Sequence, residues 1–89
     1  MPTEEDLKKL SLTFLELGLN YAMRRKLADN GIETLSDLLK VLKLSGPYSL
    51  LRFKNFGKKS LDTLKEKLME AGLVDDNFDS EYFEYINCF

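Results

Sequence analysis

Asn55-Phe56-Gly57-Lys58-Lys59-Ser60-Leu61 opens the stretch that decides how this sequence is read. Behind it Leu64, Leu68 and Ala71 continue the apolar stripe begun by Leu61, and Gly72 closes it. The spacing predicts an amphipathic helix from Lys58 or Lys59 to Ala71, the longest in the protein. The start of a helix leaves backbone amides unpaired and carries about half a positive charge, so each lysine placed there costs roughly 0.3 to 1 kcal/mol unless an anion arrives. Lys58 and Lys59 sit at that end. Gly57 permits close backbone approach, Ser60 offers a hydroxyl, and Lys54 and Asn55 lie just upstream, so the turn reads as a seat for a phosphate oxygen. The plainer reading of the same residues is a pair of solvated lysines and a glycine that serves only the turn.

Working outward, Ser45-Gly46-Pro47 breaks the preceding helix, and Pro47 is suited to the first position of a short helix through about Leu51. Upstream, Thr34 and Asp37 have capping-box spacing, and Leu35, Leu38, Leu39 and Leu42 follow at the helical period. Asn20 is an N-cap for a helix over 21–30 that Gly31 stops, with Met23 and Leu27 on its inner face. Thr3 and Asp6 repeat the capping-box spacing for a short helix from Glu4 to about Leu10. The stretch from Ser11 to Leu19 reads as an irregular wrapping segment, because Gly18 would interrupt a helix. Beyond Leu73 the sequence is acidic and aromatic, with Phe78, Tyr82, Phe83, Tyr85 and Phe89, and Asp79 is a candidate cap for a last turn. That tail packs its rings on the body or is partly disordered. Two helix-turn-helix segments, around Asn30-Gly31-Ile32 and Asn55-Phe56-Gly57, share architecture without sequence duplication.

The 89 residues suffice for one domain with one modest core. The single cysteine, Cys88, has no second cysteine to form an internal disulfide with, and the absence of histidine removes the commonest general base and zinc ligand. Asp75-Asp76-Asn77-Phe78-Asp79 starts like a calcium loop, but Ser80 and Ile86 stand where glycine and a bidentate glutamate belong. No phosphate-binding glycine motif of the nucleotide-binding types is present. We therefore expect no enzyme, cofactor, metal or small-molecule substrate. Charged residues break the apolar stretches, the first residues are acidic, and cysteine is scarce, so the expectation is a cytoplasmic protein off the membrane.

The net charge is −2, yet from Asn20 to Lys67 eleven bases face five acids, a local net of +6. The balancing acids lie at the two ends, in Glu4 to Asp6 and in Asp75, Asp76, Asp79, Glu81 and Glu84. Arg24-Arg25-Lys26 are consecutive and fan around a helix, so only one or two can face a ligand.

Leu50-Leu51-Arg52-Phe53-Lys54-Asn55-Phe56-Gly57-Lys58-Lys59-Ser60-Leu61, with Leu64-Lys65 and Ala71-Gly72-Leu73 behind, resembles the C-terminal domain of the bacterial RNA polymerase alpha subunit. The likeness runs upstream through Gly31-Ile32-Glu33-Thr34-Leu35-Ser36-Asp37-Leu38 and more loosely over Leu17 to Leu27. It implies a compact helical bundle of helix-hairpin-helix character that contacts the minor groove and flanking phosphates of A/T-rich DNA. It also implies docking by transcription factors. By position, those contacts fall on Gly57, Lys59 and Ser60, with Asn55 nearby. The arginine that the family inserts in the groove falls at Ala22, and the asparagine and small residue after it fall at Arg25 and Lys26. About four residues are inserted around Leu44 to Tyr48. The sequence starts close to the domain and has its own tail, which fits a paralogue or free-standing relative.

The sequence thus leads to an all-α fold, a compact domain of four to five helices. Residues 1–13 form an N-terminal arm or short helix, 14–73 the core and 74–89 the acidic aromatic tail. The expected function is transcription-related DNA binding through Arg25, Lys26, Asn55, Gly57, Lys58, Lys59 and Ser60. Weak sequence preference is expected, with A/T-rich DNA, RNA polymerase or transcription factors as partners. The main alternative is a protein-interaction domain that kept the fold and lost the DNA contact, using the tail or the Leu44 to Phe53 segment. A third reading has the acidic tail cover the basic face in imitation of DNA.

Overall fold

A computed structural model describes residues 3–86, so the expectations that fall on Cys88 and Phe89 lie outside the described residues. Four α-helices, α1 (Glu4–Leu10), α2 (Tyr21–Asp29), α3 (Leu35–Ser45) and α4 (Lys58–Glu70), are accompanied by two 3-10 helices, Pro47–Arg52 between α3 and α4 and Glu81–Tyr85 after α4. The fold is all-α, and among the described residues there is no strand.

Local chemistry sets the helix boundaries. Thr3 and Asp6 form a reciprocal capping box, as do Thr34 and Asp37, and the Asn20 side chain accepts from the Met23 amide at 2.8 Å. Each such cap is worth about 1 kcal/mol. At the other end α2 and α4 close in the same way. Ile32 N–H donates to Leu27 O at 2.9 Å and Leu73 N–H to Leu68 O at 2.9 Å, over glycines with φ of 84° and 73°. That left-handed conformation is what Gly31 and Gly72 supply, and each turns the following apolar residue inward. Ile32 and Leu73 are both buried.

Between α1 and α2 the backbone wraps irregularly. Phe14, Leu17 and Leu19 are buried while Leu15 is exposed, and a reciprocal Thr13–Glu16 pair of backbone-to-side-chain bonds holds the turn. α3 lies against the first 3-10 helix, which in turn packs on α4. Leu27, Leu35, Leu38, Leu39, Leu50, Leu64 and Leu68 fill the centre. Fully burying a leucine contributes about 1.5 to 3 kcal/mol, so this cluster is the principal source of stability.

The acidic aromatic segment folds into the same core. Val74, Phe78, Tyr82 and Ile86 are buried with the leucines, and Phe83 and Tyr85 pack against them. The cap of its 3-10 helix is Ser80, whose side chain accepts from the Tyr82 amide, and not Asp79. Asp79 sits one residue too early, and its carboxylate accepts from the Ser80 amide instead. Lys43, at the end of α3, donates to the Phe83 carbonyl at 2.7 Å and the Ile86 carbonyl at 3.2 Å. Lys65 lies over the Phe78 ring and Lys9 over the Tyr82 ring, each 5.8 Å from the centroid. The segment is thus stapled to α1, α3 and α4 by cations and by its own rings.

Candidate nucleic-acid interface

Among the described residues, α4 is the one α-helix whose N-terminus has no side-chain cap: Gly57 occupies the N-cap position with φ −102° and ψ −175°. Leu61 N–H returns to the Gly57 carbonyl at 3.0 Å, while the amides of Lys58, Lys59 and Ser60 find no acceptor among the described residues. A Cβ built on Gly57 would meet nothing within 4 Å. The extended backbone suits any residue, so neither the turn nor internal packing requires glycine here. This counts against the plainer alternative in which Gly57 serves only the turn. The left-handed residue of the turn is Asn55, φ 61°, and asparagine is among the few residues that adopt it readily. Phe56 is buried edge-to-face against Phe53, 6.2 Å between centroids, and anchors the turn on the core.

Lys58 and Lys59 are exposed, and among the described residues neither makes an ion pair. α2 reaches the same entrance. The Lys26 ammonium donates to Ser60 Oγ at 3.1 Å, so the two residues furnish one cation and one hydroxyl at the first turn of α4. Arg25 is turned toward its own helix, with Nε 3.3 Å from Asp29 Oδ1 and Nη1 donating to the Tyr21 hydroxyl at 3.2 Å. The Tyr21 hydroxyl and the Asp29 carboxylate hold its guanidinium above its usual pKa. With both partners exposed, the Arg25–Asp29 pair contributes little, and the guanidinium is easily redirected. Ala22 is exposed, and Arg25 and Lys26 follow it at i+3 and i+4, which places the three on one face of α2.

The structure therefore brings Lys26, Gly57, Lys58, Lys59 and Ser60 to one entrance. Asn55 forms the turn below it, and Arg25 lies to one side. What the sequence reading missed is Tyr21, 67% exposed, with the Arg24 guanidinium 5.9 Å from its ring centroid and Arg25 on its hydroxyl. Arg24 Nε is shielded from solvent and has no hydrogen-bond partner among the described residues. The i, i+3, i+4 spacing of Tyr21, Arg24 and Arg25 was the available signal.

A helix-hairpin-helix domain with a basic, uncapped helical entrance is the class of protein that this fold and site define. Residues 2–70 match the family described as the C-terminal domain of the alpha subunit of bacterial RNA polymerase, and the protein belongs to that family. It is 39% identical over 70 residues to the DNA-directed RNA polymerase subunit alpha of Protochlamydia amoebophila (strain UWE25), 79% of this sequence and 18% of that protein. It is 35% identical over 65 residues to the same subunit of Leifsonia xyli subsp. xyli (strain CTCB07), 73% of this sequence and 18% of that one. The 89 residues thus span less than a fifth of the length of these relatives. No solved structure matches significantly. Membership carries a transcription-related role as its coarse functional content. Phe78, Tyr82 and Ile86 lie beyond the matched residues and yet complete the core. No helix among the described residues is long and apolar enough to cross a membrane.

Proposed function

We propose that the protein is a non-catalytic, cytoplasmic DNA-binding module that grips backbone phosphate at the entrance of α4. The observation that carries this reading is the set of unpaired amides at Lys58, Lys59 and Ser60, flanked by Lys58 and Lys59 without carboxylate partners among the described residues and by Lys26 on Ser60. Amides converging on an uncapped helical N-terminus favour an oxyanion, and the surrounding ammonium groups add charge-assisted donors. Phosphate contacts fix position but carry little base information. With alanine at position 22, no arginine enters a narrow minor groove from that point, so preference among A/T-rich sequences is weak. Arg25 and Lys26, on the face of Ala22, supply backbone contacts in its place.

Titrating the labelled domain with a short A/T-rich duplex at low and raised salt, and following amide shifts, tests this. Salt-sensitive shifts gathered at residues 55–63 and 24–26 support the reading; shifts elsewhere, or none, oppose it.

A second reading, docking of a transcription factor or polymerase subunit on the Leu44 to Phe53 segment, is favoured by Leu44, Tyr48 and Leu51, which are 61%, 76% and 41% exposed. The acidic tail does not share that feature, since Phe78 and Tyr82 are spent in the core.

A further inference from the structure

Tyr21 is an exposed aromatic ring that the core does not use, and two arginines hold it. Arg24 lies over the ring, 5.9 Å from guanidinium carbon to centroid, and Arg25 donates to its hydroxyl at 3.2 Å. Arg24 has no carboxylate partner among the described residues, and its Nε is covered and unpaired, so the ring itself is its principal contact. The tyrosine is 67% exposed, so its side chain is accessible from solvent. Five residues on, about 7.5 Å along the helix axis, Lys26 meets Ser60 at the entrance of α4.

We propose that Tyr21 is a base-stacking platform and that α2 and the α4 entrance together take a single strand of nucleic acid, an unpaired base lying on Tyr21 while a phosphate of the same strand occupies the α4 entrance. The inference rests on the phosphate reading above and adds to it the class of strand. Tyr21 and Lys26 stand five positions apart on α2, about 140° around its axis, so a strand touching both passes around the helix and spans several nucleotides. Every base has a π-face, so stacking on an aromatic ring beside a cationic track binds single strands with little sequence preference. In a duplex those faces are already stacked on one another. A minor groove about 6 Å wide admits an extended arginine, but not a tyrosine ring braced by two guanidinium groups. At position 22 that arginine is missing, and at position 21 the braced ring is present.

The test compares fluorescence anisotropy of the 89-residue protein with labelled oligo-dT, oligo-rU and an A/T-rich duplex of equal length, at low salt. Wild type is expected to bind at least one single strand more tightly than the duplex; binding of either strand supports the proposal and tells which sugar is preferred. Tyr21→Ala should weaken single-strand binding on the order of tenfold while leaving the duplex unchanged. The sequence has no tryptophan, so Tyr21→Trp introduces a unique reporter that should retain affinity and be quenched when strand is added. Preference for the duplex overturns the proposal. So does Tyr21→Ala binding like wild type while Lys59→Ala binds weakly, a pattern that leaves the phosphate reading standing. Absence of binding to all three probes removes both. Tyr21 is exposed, so circular dichroism of each variant should match wild type.

Discussion

Replacing Gly57 with aspartate should make the domain more stable and a poorer binder at once. The backbone at Gly57 already has N-cap geometry, and an added Cβ has open space, so the substitution enters without strain. A capping side chain in place of glycine contributes a few tenths of a kcal/mol, and a negative charge at a helix N-terminus adds about 0.3 to 1 kcal/mol. Together these raise stability by about 1 kcal/mol, or roughly 4 to 8 °C in Tm for a domain of this size. The same carboxylate sits where the phosphate oxygen would go. At about 4 Å, two like charges repel by about 1 kcal/mol in bulk water and about 4 kcal/mol at an effective dielectric of about 20, which weakens binding about fivefold or more. Gly57→Asn separates the two effects: it caps without charge, so it should gain less stability and lose less affinity. Thermal melts without ligand, paired with anisotropy titrations at matched salt, read both quantities. A more stable Gly57→Asp that binds like wild type would show that no phosphate sits at the α4 entrance. A variant no more stable than wild type would mean the first-turn amides were never unpaired.

Lys59→Ala should weaken binding to all sequences alike and lower the slope of log K against log salt by about 0.9 on duplex, without altering the circular dichroism. Tyr82→Ala should destabilise the domain by about 3 to 5 kcal/mol in denaturant titrations, because Tyr82 is buried in the core; an effect below about 1 kcal/mol would place the tail outside the folded unit. For the same reason, removing residues 75–89 should give a largely unfolded protein by circular dichroism. The Asp6 and Glu16 carboxyls are held below their ordinary pKa, chiefly by the Thr3 and Thr13 amides respectively. A carboxyl depressed in the folded state stabilises above its unfolded pKa and loses that contribution as pH falls through the folded value. The Asp6→Asn, Glu16→Gln double variant should therefore show a shallower fall of Tm on acidification; an unchanged slope would argue against both turns.

Much of the fold was legible because its boundaries are local. Thr3, Asn20 and Thr34 announce helix starts through bonds that span three residues, and Gly31 and Gly72 mark ends through a backbone conformation that few other residues adopt. The tail was not legible, since what orders it is remote in sequence. Lys43 reaches carbonyls 40 and 43 residues on, and Tyr82 is buried against elements the sequence does not place beside it. At the site, the uncapped helix could be read from Gly57-Lys58-Lys59, but which member of the turn takes the left-handed conformation could not. Asn55 carries it, which frees Gly57 from any duty to the turn. The meeting of Lys26 with Ser60, 34 residues apart, depends on how α2 crosses α4 and has no sequence signature.

The distribution of partnered and unpartnered cations bears on whether the acidic tail imitates DNA over the basic face. Such a device requires carboxylates near Lys58, Lys59 or Lys26. Among the described residues the tail instead engages Lys43 through two carbonyls, Lys65 through the Phe78 ring and Lys9 through the Tyr82 ring. None of these contacts uses a tail carboxylate, and none involves the α4 entrance. The tail therefore uses its apolar side chains and main chain to finish the core. Its acidic groups remain exposed, and among the described residues none pairs with Lys26, Lys58 or Lys59. The net charge of −2 is then a poor guide to the partner, because a Debye length of about 8 Å at physiological salt lets each surface act on what lies close to it. On the proposed reading, a phosphate at the α4 entrance would meet Lys58, Lys59 and Lys26, none of which forms an ion pair with a tail carboxylate among the described residues.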